Sequence, residues 1–235
     1  MRRIHSNSSP TDVERWINDA YVRDGHDKGW TYIYGRLASR FQPEIVTIGL
    51  NPGGGRTDIY DWKSDSHLAQ DVPFSDVTNA YFDQPWGSDG VSFTPLQQQI
   101  QLLRARYFPS TPLDKILSFQ FIPFRSPTWS ELPSGSYKKA IELGRELLDW
   151  TLAEIDRPKL VIGFGLSAVA NHVIRWFDAH EVCDAIPTGW GSTSARIFDT
   201  PKAERFVLLP HLSRYQVIGR SQFTREVEVF DNRTP

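Results

Sequence analysis

Residues 44–55 read Glu-Ile-Val-Thr-Ile-Gly-Leu-Asn-Pro-Gly-Gly-Gly. The run from Ile45 to Leu50 is apolar and rich in β-branched residues, which is typical of a buried parallel strand. The Asn-Pro-Gly that follows predicts a sharp turn in which the backbone leaves room for a ligand. Ligands of open α/β sheets bind beside the carboxyl ends of strands, so Asn51 is a candidate site residue. The alternative is an Asn that only favours a tight turn.

The composition is that of a soluble globular protein. The chain has 235 residues, of which 40% are hydrophobic and 23% charged, enough for a substantial core. No apolar run approaches the roughly 18 residues of a membrane span, and the N-terminus lacks the apolar segment of a secretory signal, which favours a cytoplasmic protein. The single cysteine, Cys183, excludes an internal disulfide and a cysteine-cluster metal site. We expect neither a metal nor a cofactor.

The charge distribution leaves two interpretations open. The net charge of −2 argues against a generic nucleic-acid coat protein. Residues 196–225 nevertheless contain six basic and two acidic side chains. Such a local excess can meet a phosphate backbone, and the alternative is a solvated basic face. The basic residues are Arg196, Lys202, Arg205, Arg214, Arg220 and Arg225.

Predicted strands and helices alternate, which indicates a single α/β domain over residues 1–235. This alternation gives right-handed crossovers and a mainly parallel sheet that helices cover on both faces. The predicted strands are 45–50, 115–121, 160–164 and 205–209. One predicted helix begins at Pro10, and three others cover 95–107, 137–155 and 167–177. A long irregular insertion near 56–94 is rich in aromatic residues, which argues against disorder.

Two further strand ends carry possible site motifs. Gly163-Phe-Gly165-Leu-Ser-Ala168, with Asp184 beyond it, fits a dinucleotide-binding turn, but it follows the third predicted strand instead of the first. We therefore favour a tightly packed turn and keep a cofactor enzyme as an alternative. Pro210-His211-Leu212-Ser213-Arg214-Tyr215 follows the last predicted strand. Its histidine, hydroxyl and arginine have the chemistry of an anion-stabilising loop.

Taken together, these motifs resemble the uracil-DNA glycosylase superfamily. Gly49-Leu50-Asn51-Pro52-Gly53 is similar to the first motif of its mismatch-specific and single-strand-selective branches, and the segment 210–215 is similar to the last motif. Gly90-Val91-Ser92-Phe93-Thr94 is similar to the segment whose phenylalanine stacks on the target base, and Gln120 falls where the family has an edge-reading Asn. Leu212 and Arg214 replace two prolines of the family pattern, and the lone cysteine excludes the iron–sulfur branches.

The resemblance implies a three-layer α/β/α sandwich with a central, mainly parallel four-stranded sheet. It also implies a DNA glycosylase-like hydrolase that releases uracil or a related damaged base in base excision repair, with DNA as partner and no obligatory protein partner. Asn51 would position the water and His211 would donate to the departing base. The implied base contacts are Gly49, Leu50, Phe93 and Gln120, and the implied DNA contacts are Pro52, Gly53, Gly54, Ser213, Arg214 and Tyr215.

Each implied role has a structural alternative. Phe93 is also explained as a core aromatic beneath the loop, Gln120 as a partner of backbone groups at the sheet edge, and Tyr215 as a packing residue. For the whole protein, the alternative is a non-catalytic or repurposed member of the same fold that binds nucleic acid or a modified nucleotide. The weakly acidic charge and the altered motifs favour that alternative.

Overall fold

Seven strands form one mixed sheet in the part of the chain that the computed structural model describes, residues 4–53, 78–87, 89–133 and 135–230. The strands are β1 Ile45–Gly49, β2 Ile116–Gln120, β3 Leu160–Phe164, β4 His180–Glu181, β5 Ile186–Pro187, β6 Ser194–Asp199 and β7 Phe206–Leu209. Their order is β2-β1-β3-β7-β6-β4, with β5 paired to β6. Strands β2, β1, β3 and β7 are parallel to one another, whereas β6 is antiparallel to β7, β4 and β5.

The prediction of a four-stranded sheet is therefore wrong, although all four predicted strands are present. The three additional strands lie between residues 180 and 199. Two of them are only two residues long, too short to give a periodic signal. The third, Ser194–Asp199, alternates in burial because one side of it is partly exposed, so it lacks the continuous apolar run that identifies the parallel strands.

Seven α-helices accompany the sheet in the described residues. They are α1 Pro10–Arg23, α2 Ala80–Asp83, α3 Pro95–Tyr107, α4 Tyr137–Leu152, α5 Ala170–Trp176, α6 Leu212–Tyr215 and α7 Glu226–Phe230. The predicted start of α1 is confirmed, because Ser9 Oγ accepts from the backbone N–H of Asp12 at 3.2 Å and Pro10 occupies the first turn. Helix α4 ends three residues before the predicted 155, and α5 begins three residues after the predicted 167.

Helices cover both faces of the sheet, and each face has its own hydrophobic core. Val46 and Ile48 of β1 pack with residues of α1, α4 and α5, while Ile45 packs on the opposite face with residues of α2, α3, α6 and α7. The strands β1, β2, β3 and β7 are buried along their whole length. This double burial fixes the carboxyl ends of the strands, from which the candidate site residues project.

Some aromatic residues of the predicted insertion lie in the described part of the chain. Residues 54–77 and 88 lie outside the described part of the chain. Of the described remainder, Tyr81 is fully buried, with its ring 5.0 Å from that of Tyr34 and 5.2 Å from that of Trp86. These aromatic rings therefore build the core on the α3 side. No helix within the described ranges is both long and apolar enough to span a bilayer.

Candidate functional site

The turn after β1 is held by the segment that leaves β2. The parallel pairing continues past both strands, since the N–H groups of Phe121 and Ile122 donate to the carbonyls of Gly49 and Leu50, each at 2.8 Å. Farther along, the N–H of Ser126 donates to the carbonyl of Pro52 at 3.2 Å. Backbone hydrogen bonds before and after Asn51 thus hold its segment against the one that follows β2.

The amide of Asn51 is oriented by three backbone carbonyls. Its Nδ2 donates to Pro52 O at 3.0 Å, to Ser126 O at 3.3 Å and, at the longer distance of 3.5 Å, to Phe124 O. Its Oδ1 accepts no hydrogen bond from the described residues. Because the donor side of the amide is occupied, the side that remains is an acceptor, which suits a group that binds a water molecule.

His211 follows β7 after Pro210 and is held by its neighbours. Leu212, which replaces a proline of the family motif, is only 1% exposed and anchors the segment in the core. Ser213 Oγ lies 2.9 Å from His211 Nδ1, while Nε2 makes no hydrogen bond within the described ranges. Partial desolvation of the ring, followed by the charge of Arg214, lowers the pKa of His211 below its usual 6.5. The imidazole is therefore neutral at pH 7.

Gly165 leaves room for the ring of His211. Strand β3 lies between β1 and β7, so the strands that carry Asn51 and His211 are two strand spacings, or about 10 Å, apart. Gly165 follows β3 with φ +66°, and a Cβ there would lie 2.8 Å from Cδ2 of His211. At Gly163 a Cβ would lie 2.6 Å from side-chain atoms of both Leu166 and Leu208. Both glycines are thus explained by close packing, which supports the tight-turn interpretation of this motif.

Asn51 and His211 line one cleft of about 700 Å³ at the carboxyl ends of the parallel strands. Its walls come from the exits of β1, β3 and β7, from the segment after β2 and from the start of β6. No Asp or Glu is among the described residues that line it. Those residues are Leu50, Asn51, Pro127, Thr128, Trp129, Gly165, Leu166, Ser167, Ala170, Thr193, Ser194, Arg196, Leu208, Leu209, Pro210, His211, Ser213, Arg214 and Tyr215. Nor does the described chain contain any group of three His, Cys, Asp or Glu side chains placed to hold a metal.

The structure brings together only part of the predicted site. Six of the predicted residues line the cleft, namely Leu50, Asn51, His211, Ser213, Arg214 and Tyr215. Five others, Gly49, Pro52, Gly53, Phe93 and Gln120, are not among its lining residues. Gly54 falls outside the described residues.

Gln120 is buried on the α3 side of the sheet. Its Nε2 donates to the hydroxyl of Tyr81 at 3.2 Å, and its Oε1 has no partner in the described structure. In the β1–β2 register Gln120 lies opposite Gly49, where a Cβ would be 2.3 Å from Oε1. The absence of a side chain at Gly49 therefore accommodates the amide of Gln120. The base-reading role of Gln120 stays a prediction, and this position gives it no contact with the cleft.

The aromatic side chain that the sequence assigned to base stacking is not one of the two aromatic residues, Trp129 and Tyr215, that line the cleft. Phe93 is half-buried immediately before Thr94, which caps α3, and its stacking role stays a prediction. Trp129, in the irregular segment after β2, lines the cleft and packs against Tyr137 with ring centroids 5.3 Å apart. Sequence reasoning missed Trp129, because it lies nine residues beyond the end of β2 and no local pattern brings it to the strand ends.

Most of the basic excess in residues 196–225 is already engaged. Arg196 forms a two-pronged ion pair with Glu181, and Arg225 pairs with Glu228. Arg205 and Lys202 donate to backbone carbonyls. Within the described ranges, Arg214 and Arg220 have no acidic partner. Arg220 donates to the carbonyl of Tyr215 at the long distance of 3.4 Å. The side chain of Arg214, which lines the cleft, makes no hydrogen bond within the described ranges and is the arginine most accessible to a phosphate group.

Comparison with protein-family models gives no match for this sequence. Comparison with curated proteins gives none either. The resemblance to uracil-DNA glycosylases therefore depends on the short motifs and on the placement of their residues at the sheet.

Proposed function

We propose that this protein is a DNA glycosylase-like hydrolase that cleaves the N-glycosidic bond of uracil or a related damaged base. The observation that carries the proposal is the convergence of Asn51 and His211 on one cleft whose described lining contains no carboxylate. A cleft without acidic side chains suits a polyanionic ligand. It lacks the pair of carboxylates that most glycosidases of sugars use.

The arrangement of the sheet supports the same proposal. The four parallel strands are ordered β2-β1-β3-β7, and the helices lie on both faces. We propose that this central part is a uracil-DNA glycosylase-like three-layer sandwich to which the antiparallel strands β6, β4 and β5 are added. In that interpretation Asn51 and His211 occupy the first and last motifs of the fold.

Hydrolysis of an N-glycosidic bond breaks the bond between the anomeric carbon and the base. Positive charge develops on the sugar and negative charge on the base, and a water molecule then supplies a hydroxyl to the carbon and a proton to the base. With its Nδ2 fixed by carbonyls, Asn51 would hold this water through Oδ1. A neutral amide has no useful basicity, so its contribution is positional.

His211 would stabilise the charge on the departing base. If the Ser213 hydroxyl donates to Nδ1, the proton of the neutral imidazole is on Nε2, which is then a donor without a partner in the described structure. Removing one such donor from a preorganised site typically costs about 100- to 1000-fold in rate. Trp129 would offer the aromatic surface for the base, and Ser213 and Arg214 would contact the flanking phosphates.

The test is release of free base and formation of an alkali-labile abasic site from oligonucleotides that carry uracil, hypoxanthine, xanthine or a mismatched thymine. We expect release from at least one substrate and a loss of about 100-fold or more in His211→Ala and in Asn51→Ala. The matched controls are His180→Ala and Asn171→Ala, since both side chains are exposed and outside the cleft. Full activity in both cleft variants would exclude this mechanism.

A second candidate is a non-catalytic protein of the same fold that binds a nucleic acid or a modified nucleotide. The burial of Gln120 favours it, because the position that should read the base edge is packed against Tyr81. Base-dependent binding with no base release over the whole substrate panel would support this candidate against the first.

A further inference from the structure

Trp190 is an exposed aromatic residue on the loop between β5 and β6, and neither the motifs nor the proposed mechanism accounts for it. The residue is 43% exposed. The loop that presents it is closed by hydrogen bonds, since Thr193 N donates to Trp190 O at 3.0 Å and Thr188 N donates to Thr193 O at 3.0 Å. Thr188 itself is fully buried. These hydrogen bonds therefore define the backbone conformation from which the indole ring projects.

Gly189, directly before Trp190, allows this loop to pack closely against Gln222. Gly189 has φ +74°, and a Cβ there would lie 2.3 Å from Cβ of Gln222 and 2.7 Å from its backbone carbonyl. Only a glycine allows this approach, because the opposing atoms include backbone that cannot move aside. The backbone position next to Trp190 is thus set by packing, while the indole itself remains partly exposed.

Two neighbours give the exposed indole its chemical character. The guanidinium of Arg220 lies 4.2 Å from the centroid of the Trp190 ring, and Tyr215 meets the indole edge-on at 6.3 Å. Arg220 also donates weakly to the carbonyl of Tyr215 at 3.4 Å and has no acidic partner in the described chain. We call Trp190, Tyr215 and Arg220 the aromatic rim.

The aromatic rim adjoins the cleft. Tyr215 belongs to both, and Thr193, which bonds to the Trp190 carbonyl, also lines the cleft. Arg214, likewise without an acidic partner, stands beside Tyr215 with its guanidinium 5.3 Å from that ring. An exposed indole, a second aromatic ring and two uncompensated arginines thus border the cleft that contains His211.

We propose that the aromatic rim binds a single-stranded segment of DNA beside the target nucleotide, with an unpaired base stacked on Trp190. The identity of the strand as DNA rests on the proposed function. Aromatic side chains stack on bases of any sequence, and arginines neutralise the backbone between them. A base paired in a duplex keeps its faces covered by its neighbours, so the exposed ring selects an unpaired one.

The experiment measures fluorescence anisotropy of a labelled single-stranded oligonucleotide of undamaged bases, and of the same sequence as a duplex. Trp190→Ala should weaken single-strand binding about 5- to 150-fold, as expected for loss of one stacked base, and Trp190→Phe should restore most of it. Duplex binding should change less than threefold. The matched control is Phe41→Ala, since Phe41 is 47% exposed and lies 5.4 Å from the guanidinium of Arg40, before the amino end of β1.

The outcomes separate this inference from the proposed function. Unchanged single-strand binding in Trp190→Ala, or an equal loss on the duplex, would overturn the inference even if base release is observed. Loss of single-strand binding in Trp190→Ala but not in Phe41→Ala would support it even if no base is released, because the probe contains no damaged base.

Discussion

Gly165→Ala should reduce base release by moving His211. The added Cβ would lie 2.8 Å from Cδ2 of the His211 ring and 3.3 Å from its Cγ. Ordinary carbon–carbon contact begins near 3.5 Å, so the ring must shift by about 0.7 Å. A misplacement of about 1 Å in a catalytic group can cost about 100-fold in rate, and we therefore expect a loss in kcat/KM of roughly 10- to 100-fold.

The backbone cost of the same substitution has to be separated from this displacement. Gly165 has φ +66°, and a residue with a side chain in that region costs about 1–2 kcal/mol. Gly25→Ala is the matched control, because Gly25 has φ +73° and a Cβ there would meet nothing within 4 Å. Both variants should lose similar stability in urea denaturation, and only Gly165→Ala should lose activity.

Imidazole NMR gives a readout that does not depend on turnover. Because the pKa of His211 depends on the surroundings of its ring, displacement of the ring should change its titration in Gly165→Ala and leave it unchanged in Gly25→Ala. If Gly165→Ala released base at the wild-type rate with an unaltered His211 titration, the contact between Gly165 and His211 would not position the ring.

Acid should destabilise the fold through His26, because burial lowers its pKa to about 4 and both ring nitrogens lack partners in the described structure. Below pH 6.5 the histidine is protonated in the unfolded chain but stays neutral in the folded chain, so His26 should make the protein about 2 kcal/mol less stable at pH 5 than at pH 7.5 in denaturant melts. His26→Phe should remove this contribution and leave the smaller one that follows from the lowered pKa of His211. Gln120→Leu should lower the free energy of unfolding by about 1–3 kcal/mol, because it removes the hydrogen bond from Gln120 to the fully buried hydroxyl of Tyr81, and base preference should be unchanged. Arg214→Gln should lower the slope of log K against log salt for single-stranded DNA by about 0.7, whereas Arg225→Gln should leave the slope unaltered because Arg225 already pairs with Glu228.

Each of these three predictions would be contradicted by a specific result. A pH profile of stability that is undiminished in His26→Phe would assign the acid sensitivity to other groups. Loss of base discrimination in a stably folded Gln120→Leu would restore the edge-reading role to that residue. Equal slopes for wild type and Arg214→Gln would show that Arg214 makes no phosphate contact.

The sequence predicted the elements whose signals are local. Strand β1 was recognisable from its β-branched run, and α1 from Ser9 and Pro10, because each signal lies within a few residues of the structure that it specifies. The same locality placed Asn51 and His211 at strand ends. Their meeting in one cleft follows from strand order, in which β3 alone separates β1 from β7.

Features that depend on distant residues could not be predicted in this way. The direction of the Gln120 side chain depends on its register opposite Gly49 and on the ring of Tyr81. The presence of Trp129 in the cleft, with Phe93 outside it, depends on the path of a loop. Strands β4 and β5 exist only because β6 offers them a partner.

The position of β7 inside the sheet has a consequence for hydrogen exchange. Strand β7 is paired on both edges, with β3 on one side and β6 on the other, so its amides should exchange with solvent only when the whole domain opens. The loop that carries Trp190 connects the two-residue β5 to β6. Local opening of this loop breaks far fewer backbone hydrogen bonds than opening of the domain. The segment that carries His211 therefore leaves a strand whose amides should exchange slowly, whereas the amides of the Trp190 loop should exchange faster than those of β7.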